Sequence, residues 1–213
     1  MPFDYNKEKL VFDRLLVAHS NKAVIRAKFF EKEFAFFKKH IKDKNVFVAG
    51  SGLGQDSIEL AKYNHNVVGV ELSELAVNYS NKKKLLNVKF ICSDFLKDEY
   101  GHFDVAVLNM GTIGNFENKG EVITSLLKKA DKVYLDFYTP NCFEERKQMY
   151  EEEGWEKVSE KNGVLSNFEG LESKSITRKE MEKIFLGVGA IGRFYRINEF
   201  TLMAEIEKKK TNL

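Results

Sequence analysis

The residue types that could do chemistry fall at three points in the first half of the chain. Gly50-Ser51-Gly52-Leu53-Gly54 places glycines at alternate positions directly after the apolar run Val46-Phe47-Val48-Ala49. Such a turn lets the backbone approach a ligand with no Cβ in the way. The helix that follows offers unpaired N–H groups. Glu71 ends a second apolar run, 17 residues beyond Gly54. An acid there can accept both hydroxyls of a ribose. Asp94 ends a third, in Cys92-Ser93-Asp94-Phe95. It can accept from an adenine amino group while Phe95 or Leu72 packs on the ring. Either acid alone could instead cap the next helix. Together, at successive strand ends, the three features fit an adenosine lying across the strand tips.

Two adenosine cofactors use such a turn. The nicotinamide fingerprint G-x-G-x-x-G needs a last glycine where this chain has Gln55. A nucleoside spanning three strands without a pyrophosphate is the pattern of S-adenosylmethionine. Asn109 and Gly111, beyond the fourth strand, should then face the transferring methyl. Asn109 can accept from an acceptor N–H or from the cofactor's ammonium, or simply cap a turn. Tyr138, with Thr139 and Pro140, and Phe116 are placed to line an acceptor pocket. His19 is the one histidine considered as a base; His40, His65 and His102 read as loop or surface positions. Arg193 and Arg196 could meet an acidic acceptor or lie on an edge strand. Methyl transfer needs no covalent nucleophile, so positioning and exclusion of water can supply most of the rate.

The elements that must hold these residues are read from periodicity. Ala23, Ala27, Phe30, Phe34, Phe37 and Ile41 recur at helical spacing, with Ser20 as a candidate cap. From residue 45, strands and helices alternate: NVFVAG, DSIELAKY, NVVGVELS, ELAVNYSNKKK, NVKFICSD, FDVAVLNM, a helix over 121–130, and DKVYLDFY. Strands apolar on both faces, separated by helices, predict a parallel sheet reached by right-handed crossovers. CFEERKQMYEEE reads as a helix, VLSNFEGLESKSI as an irregular excursion, and TRKEMEKIFLGVG as a helix capped by Thr177. RFYRINEFTLMAEIEKK gives two strands turning near Asn198. The expected fold is α/β and Rossmann-like. Its mostly parallel seven-stranded sheet has an antiparallel C-terminal edge hairpin, with helices on both faces.

The 213 residues suit one domain: a helical segment over 1–44 covering the site, and the catalytic unit over 45–213. A net charge of +2 argues against a nucleic-acid surface, and the Lys82-Lys83-Lys84 run reads as a solvated helix face. No apolar run reaches the length of a membrane span, and the first residues are too charged for a signal peptide. Cys92 and Cys142 have no metal-ligand spacing, so no metal is expected. Two thiols suggest a reducing compartment, hence the cytoplasm. The expected partner is a small-molecule acceptor, with the chain as monomer or homodimer.

At these residues the chain resembles the class I S-adenosylmethionine-dependent methyltransferases, over roughly 45–137. Their first strand usually carries an acid where this chain has Val48. The stretch VFVAGSGLGQDSIELAKYNHNVVGVELSELAV is similar to the thiopurine-type S-methyltransferase branch. That branch also lacks the first-strand acid and has an acid at the place of Asp56. The resemblance implies that Gly52, Glu71 and the Asp94 region hold the cofactor; the full set of expected cofactor contacts is Gly50, Ser51, Gly52, Gly54, Asp56, Glu71, Leu72, Asp94, Phe95 and Asn109. Two features of that branch are missing. No Trp stands among Phe3, Tyr5 and Phe12 near the N-terminus, and its Asp-Arg-Gly appears as Asn109-Met110-Gly111. The implied activity is methylation of a small molecule at S, N or O. The alternatives are a protein or RNA acceptor, or a cofactor-binding protein without catalysis.

Overall fold

The computed structural model describes residues 8–20 and 22–209. Its main sheet has the strand order β3-β2-β1-β4-β5-β10-β9. The parallel strands are β1 (Asn45–Ala49), β2 (Asn66–Glu71), β3 (Val88–Cys92), β4 (Phe103–Leu108) and β5 (Ala130–Tyr138). The hairpin of β9 (Ala190–Arg196) and β10 (Thr201–Lys208) then adds two antiparallel strands, β10 lying between β5 and β9. This is the sheet expected from the alternating pattern. Strand order reverses between β1 and β4, so the crevice at their carboxyl ends is where a ligand belongs.

Helices cover both faces. α2 (Val24–His40) and α3 (Gln55–Ala61) pack on Val46, Val48, Val105 and Val107 through Phe29, Phe30, Phe37 and Leu60. α5 (Lys119–Lys129) and α7 (Arg178–Gly187) cover Phe47, Ala106, Leu108, Leu135 and Phe137 on the other face. The alternation of β4 and β5 therefore turns Asn109 and Asp136 toward the α2 side. α4 (Glu74–Asn81) lies beside β3, with α1 (Glu8–Ala18) resting on it through Phe12 and Tyr79. Phe3, Tyr5 and the Lys210–Leu213 tail lie outside the described residues.

Three local expectations fail. Ser20 does not open α2; its Oγ donates to the Val17 carbonyl and accepts from Lys22, so it closes α1. Ala27 is exposed, and Arg26 and Glu33 sit inside instead. The helix is turned so that two charged residues share the buried stripe with the phenylalanines. The stretch read as irregular forms a second, three-stranded sheet of β6 (Ser159–Lys161), β7 (Val164–Ser166) and β8 (Glu172–Lys174). It is fastened to the main body through α6 (Phe143–Glu152): Tyr150 Oη donates to Ser173 Oγ at 2.7 Å. The Ile176 N–H donates to the Tyr138 carbonyl at 2.8 Å, and the Lys174 carbonyl packs on Gly114, where an added Cβ would sit 2.7 Å away.

Candidate functional site

The glycine turn and Glu71 are joined in the folded chain. Glu71 Oε2 accepts from the Gly52 N–H at 3.0 Å. Oε1 accepts from the N–H groups of Leu72 at 2.8 Å and Ser73 at 3.0 Å. One carboxylate thus ties the β1 turn to the β2 turn. It is not the helix cap; Ser73 Oγ does that, accepting from Ala76. Gly54 has φ +77°, and a Cβ there would lie 2.5 Å from the Phe90 ring, so only glycine lets α3 start this close to β3. α1 lies over the turn, with Leu15 3.8 Å from where a Gly52 Cβ would be and Glu8 accepting from Ser73 Oγ and the Leu75 N–H.

Beyond β4, Asn109 Nδ2 donates to Asp56 Oδ2 at 3.3 Å. The Gly111 N–H donates to Asp136 Oδ1 at 2.8 Å. Gly111, at φ +66°, lies flat against the Tyr138 ring; a Cβ would come within 2.4 Å of it. Tyr138 Oη in turn accepts from Arg26 at 2.9 Å, and Arg26 Nε pairs with Glu153 at 2.7 Å.

Around these groups lies a buried polar layer between α2 and the ends of β4, β5 and β10. Glu33, Asp136 and Thr201 are 0% exposed and Asn109 is 4% exposed. Both oxygens of Glu33, Oδ1 of Asp56 and Asn109, Oδ2 of Asp136, and the hydroxyls of Thr139 and Thr201 have no hydrogen-bond partner within the protein. Burial raises the pKa of all three carboxyls: Asp56 to about 6, Asp136 to about 7, and Glu33 well above the ordinary range. The negative charges of Asp56 and Asp136 push Glu33 further up, and Arg26 opposes this. His19, stacked on Phe30, moves the other way; burial and the charges of Arg26 and Lys83 lower it to about 4.

The pH dependence follows from these directions. A carboxyl whose pKa is raised on folding holds its proton longer in the folded state, so its contribution to stability falls as pH rises. For Asp136 the fall runs from 3.8, its unfolded value, to about 7. His19 contributes the opposite slope, between about 4 and 6.5. Asp136→Asn keeps an acceptor for Gly111 and removes only the first effect. It should become steadily more stable relative to the parent between pH 4 and pH 7. A constant difference in melting temperature across that interval would show that Asp136 titrates as it does in the unfolded chain.

Residues 46–133 match the family model described as a methyltransferase domain. The match runs from β1 into β5 and takes in the glycine turn and Glu71. Solved structures share the fold over nearly the whole chain. Magnesium protoporphyrin IX methyltransferase from Synechocystis PCC 6803, with bound S-adenosylhomocysteine, is 17% identical; 95% of this chain and 96% of that one align, at TM-score 0.68. The PH0226 protein from Pyrococcus horikoshii OT3 is 19% identical, with 90% and 93% covered and TM-score 0.67. DhpI in complex with S-adenosylhomocysteine is 12% identical, with 96% and 97% covered and TM-score 0.67. No curated protein matches the chain in sequence. The fold is the Rossmann-like class I methyltransferase fold.

In this chain, Gly50, Ser51, Gly52, Gly54, Asp56, Glu71, Leu72 and Asn109 gather at the carboxyl ends of β1, β2 and β4. Asp94 lies at the end of β3, where its Oδ1 accepts from the Leu96 N–H and its Oδ2 pairs with Lys97. Phe95 is buried against Phe116 on the α5 side of the sheet. Tyr138 and His19 both belong to the α2 side, near Arg26. Arg193 and Arg196 are exposed on the edge strand. Sequence reasoning missed Glu33, Asp136, Arg26 and Thr201. An acid inside the apolar run YLDFY was the available signal for Asp136. Among the described residues no cluster is arranged to hold a metal ion, and no helix is long and apolar enough to cross a membrane.

Proposed function

We propose that this methyltransferase moves a methyl group from S-adenosylmethionine to a small-molecule acceptor. The observation that carries the reading is the junction at Glu71: one carboxylate joins the glycine turn to the next strand end, where a ribose would lie. The residues present fit the cofactor. Glu71 would take the sugar hydroxyls, Asp94 and Leu72 the base, and the glycine turn the backbone contacts. Val48 removes the usual acid from β1, and Asp56 offers one from α3. Its carboxylate is buried, half-satisfied by Asn109, and lies on the same side of the sheet as Val48. Bound there, the sulfonium supplies a methyl group whose departure cancels a positive charge.

The chain's own part is positioning. Asp136 fixes Gly111 and so sets the path of the loop beyond β4. Tyr138 closes the far side, and α1 and α2 exclude water. His19, at about 4, is a poor proton acceptor near neutrality. The thiopurine-type likeness spans the Val46–Val77 stretch and supports the cofactor half. A small acceptor is favoured over protein or RNA by the near-neutral chain and the burial of Asn109 and Asp136.

Calorimetric titration with S-adenosylmethionine and S-adenosylhomocysteine tests the reading; a chain that binds neither lacks this function. Asn109→Ala should leave the affinity for S-adenosylhomocysteine nearly intact while lowering turnover. Unchanged turnover would remove Asn109 from the reacting end of the site.

A further inference from the structure

We propose that the methyl acceptor is a cation carrying N–H donors, an amine or a guanidine, bound between Glu33 of α2 and Asp136 of β5. The proposal rests on the methyltransferase reading and names the substrate class of that same site.

The argument begins with unmet hydrogen-bonding capacity. Glu33 has no partner at either oxygen, Asp136 none at Oδ2, and Thr139 and Thr201 none at their hydroxyls, and all are buried. A buried acceptor without a donor costs about 1–3 kcal/mol, more if charged. Glu33 and Asp136 are near enough to act on each other, and a ligand that donates would satisfy both. The nearest protein cation, Arg26, is already committed to Glu153 and Tyr138. A metal ion would need its ligands gathered at short range, and these carboxylates are not so arranged. A thiolate, phenolate or carboxylate acceptor brings no donor to these oxygens.

The methyl donor's own ammonium accounts for one acid. Asp56, paired with Asn109 at the start of α3, is placed for it. Glu33 and Asp136 remain, and they need a second cation. Asp136 holds the Gly111 N–H with Oδ1, so a ligand donating to its Oδ2 sits beside the loop expected to face the methyl.

The same carboxylates solve the problem an ammonium poses. Its nitrogen lone pair is occupied by a proton. One N–H proton passes to Asp136 or Glu33, and the freed lone pair forms the N–C bond. The methyl C–S bond breaks as its electron pair stays on sulfur, leaving a neutral thioether and an N-methylammonium. A carboxyl near 7 is suited to take that proton at neutral pH. Binding has a signature of its own. Without a ligand, Glu33 and part of the Asp136 population hold protons at neutral pH, and an arriving cation displaces them. The groups facing Glu33 are Asp56, Asp136 and Arg26. Those around Asp136 are Asp56, Arg26 and Tyr138. Glu153 and Tyr150 act on Arg26, and His19 stays neutral above about 4.

The test uses the full chain. Tyramine, agmatine and putrescine are offered with labelled S-adenosylmethionine, against p-cresol, 2-mercaptoethanol and benzoate. Transfer should go to nitrogen of at least one of the first three and to none of the others. Titration of the S-adenosylhomocysteine complex with that amine, in two buffers of different ionisation enthalpy, should show net proton release. Glu33→Gln and Asp136→Asn should each cut kcat/KM for the amine at least tenfold and reduce the proton release. Their affinity for S-adenosylhomocysteine should stay within threefold, and thermal melting confirms that each variant folds. Transfer to p-cresol, 2-mercaptoethanol or benzoate, no transfer to any amine while S-adenosylhomocysteine still binds, no proton release, or full amine turnover in both variants overturns the proposal. Failure of the parent chain to bind S-adenosylhomocysteine would instead remove the methyltransferase reading beneath it.

Discussion

Glu71→Ala is expected to raise the dissociation constant for S-adenosylhomocysteine roughly ten- to a hundredfold, a loss of ~1–3 kcal/mol. Two effects combine. The ribose loses its acceptor, and the Gly52, Leu72 and Ser73 N–H groups lose the carboxylate that holds both turns in one geometry. Glu71→Gln keeps the length and one acceptor oxygen, so it should fall between parent and alanine. Titration calorimetry decides the matter: equal affinity in parent and alanine variant would mean that the sugar lies elsewhere. The melting temperature of the empty protein should change little, because Glu71 is partly exposed and water can replace it.

The largest effect on stability is expected at Arg26. Arg26→Leu leaves Glu153 as a buried carboxylate with no cation and Tyr138 Oη with no donor. Breaking one side of a buried pair costs ~3–5 kcal/mol. In a chain of this size that lowers the melting temperature on the order of 6–20 °C. Arg26 also carries the positive charge that offsets Glu33, Asp56 and Asp136, so its removal should raise the pKa of each. The double variant Arg26→Leu, Glu153→Leu should melt above the single one, since replacing both partners by apolar groups removes the stranded charge. Should Arg26→Leu melt with the parent, the pair contributes nothing and the charge balance drawn for this layer is wrong.

The glycine turn and the acids at the strand ends were legible because their signals are local. A glycine turn after an apolar run, and acids at the ends of the next two, survive in any reading of the chain because strand, turn and helix follow one another within a few residues. The hairpin was legible for the same reason, from Asn198 between two β-rich runs; its Oδ1 accepts from the Phe200 N–H. The buried polar layer was not. Arg26 and Glu33 are polar residues on a helix, and polarity alone reads as a solvent-facing side. Only the tertiary arrangement, with Glu153, Tyr138 and Asp136 arriving from elsewhere in the chain, makes their burial affordable. Ser20 misled because the hydroxyl that can open a helix can equally close the one before it. Strands as short as β6, β7 and β8 carry too few residues to show an alternation, and β6 is exposed throughout.

The small sheet also stands apart from the strand ends that carry the glycine turn. On the proposed function the nucleoside would be held by residues 50 to 94, while the wall opposite the methyl would be braced by the segment of β6 to β8, which touches Tyr138, Tyr150 and Gly114. Grafting a different loop between α6 and α7 would reshape the catalyst's chemical appetite and leave its methyl currency alone. Chimaeras exchanging that segment between relatives of this fold are therefore a direct route to new acceptors.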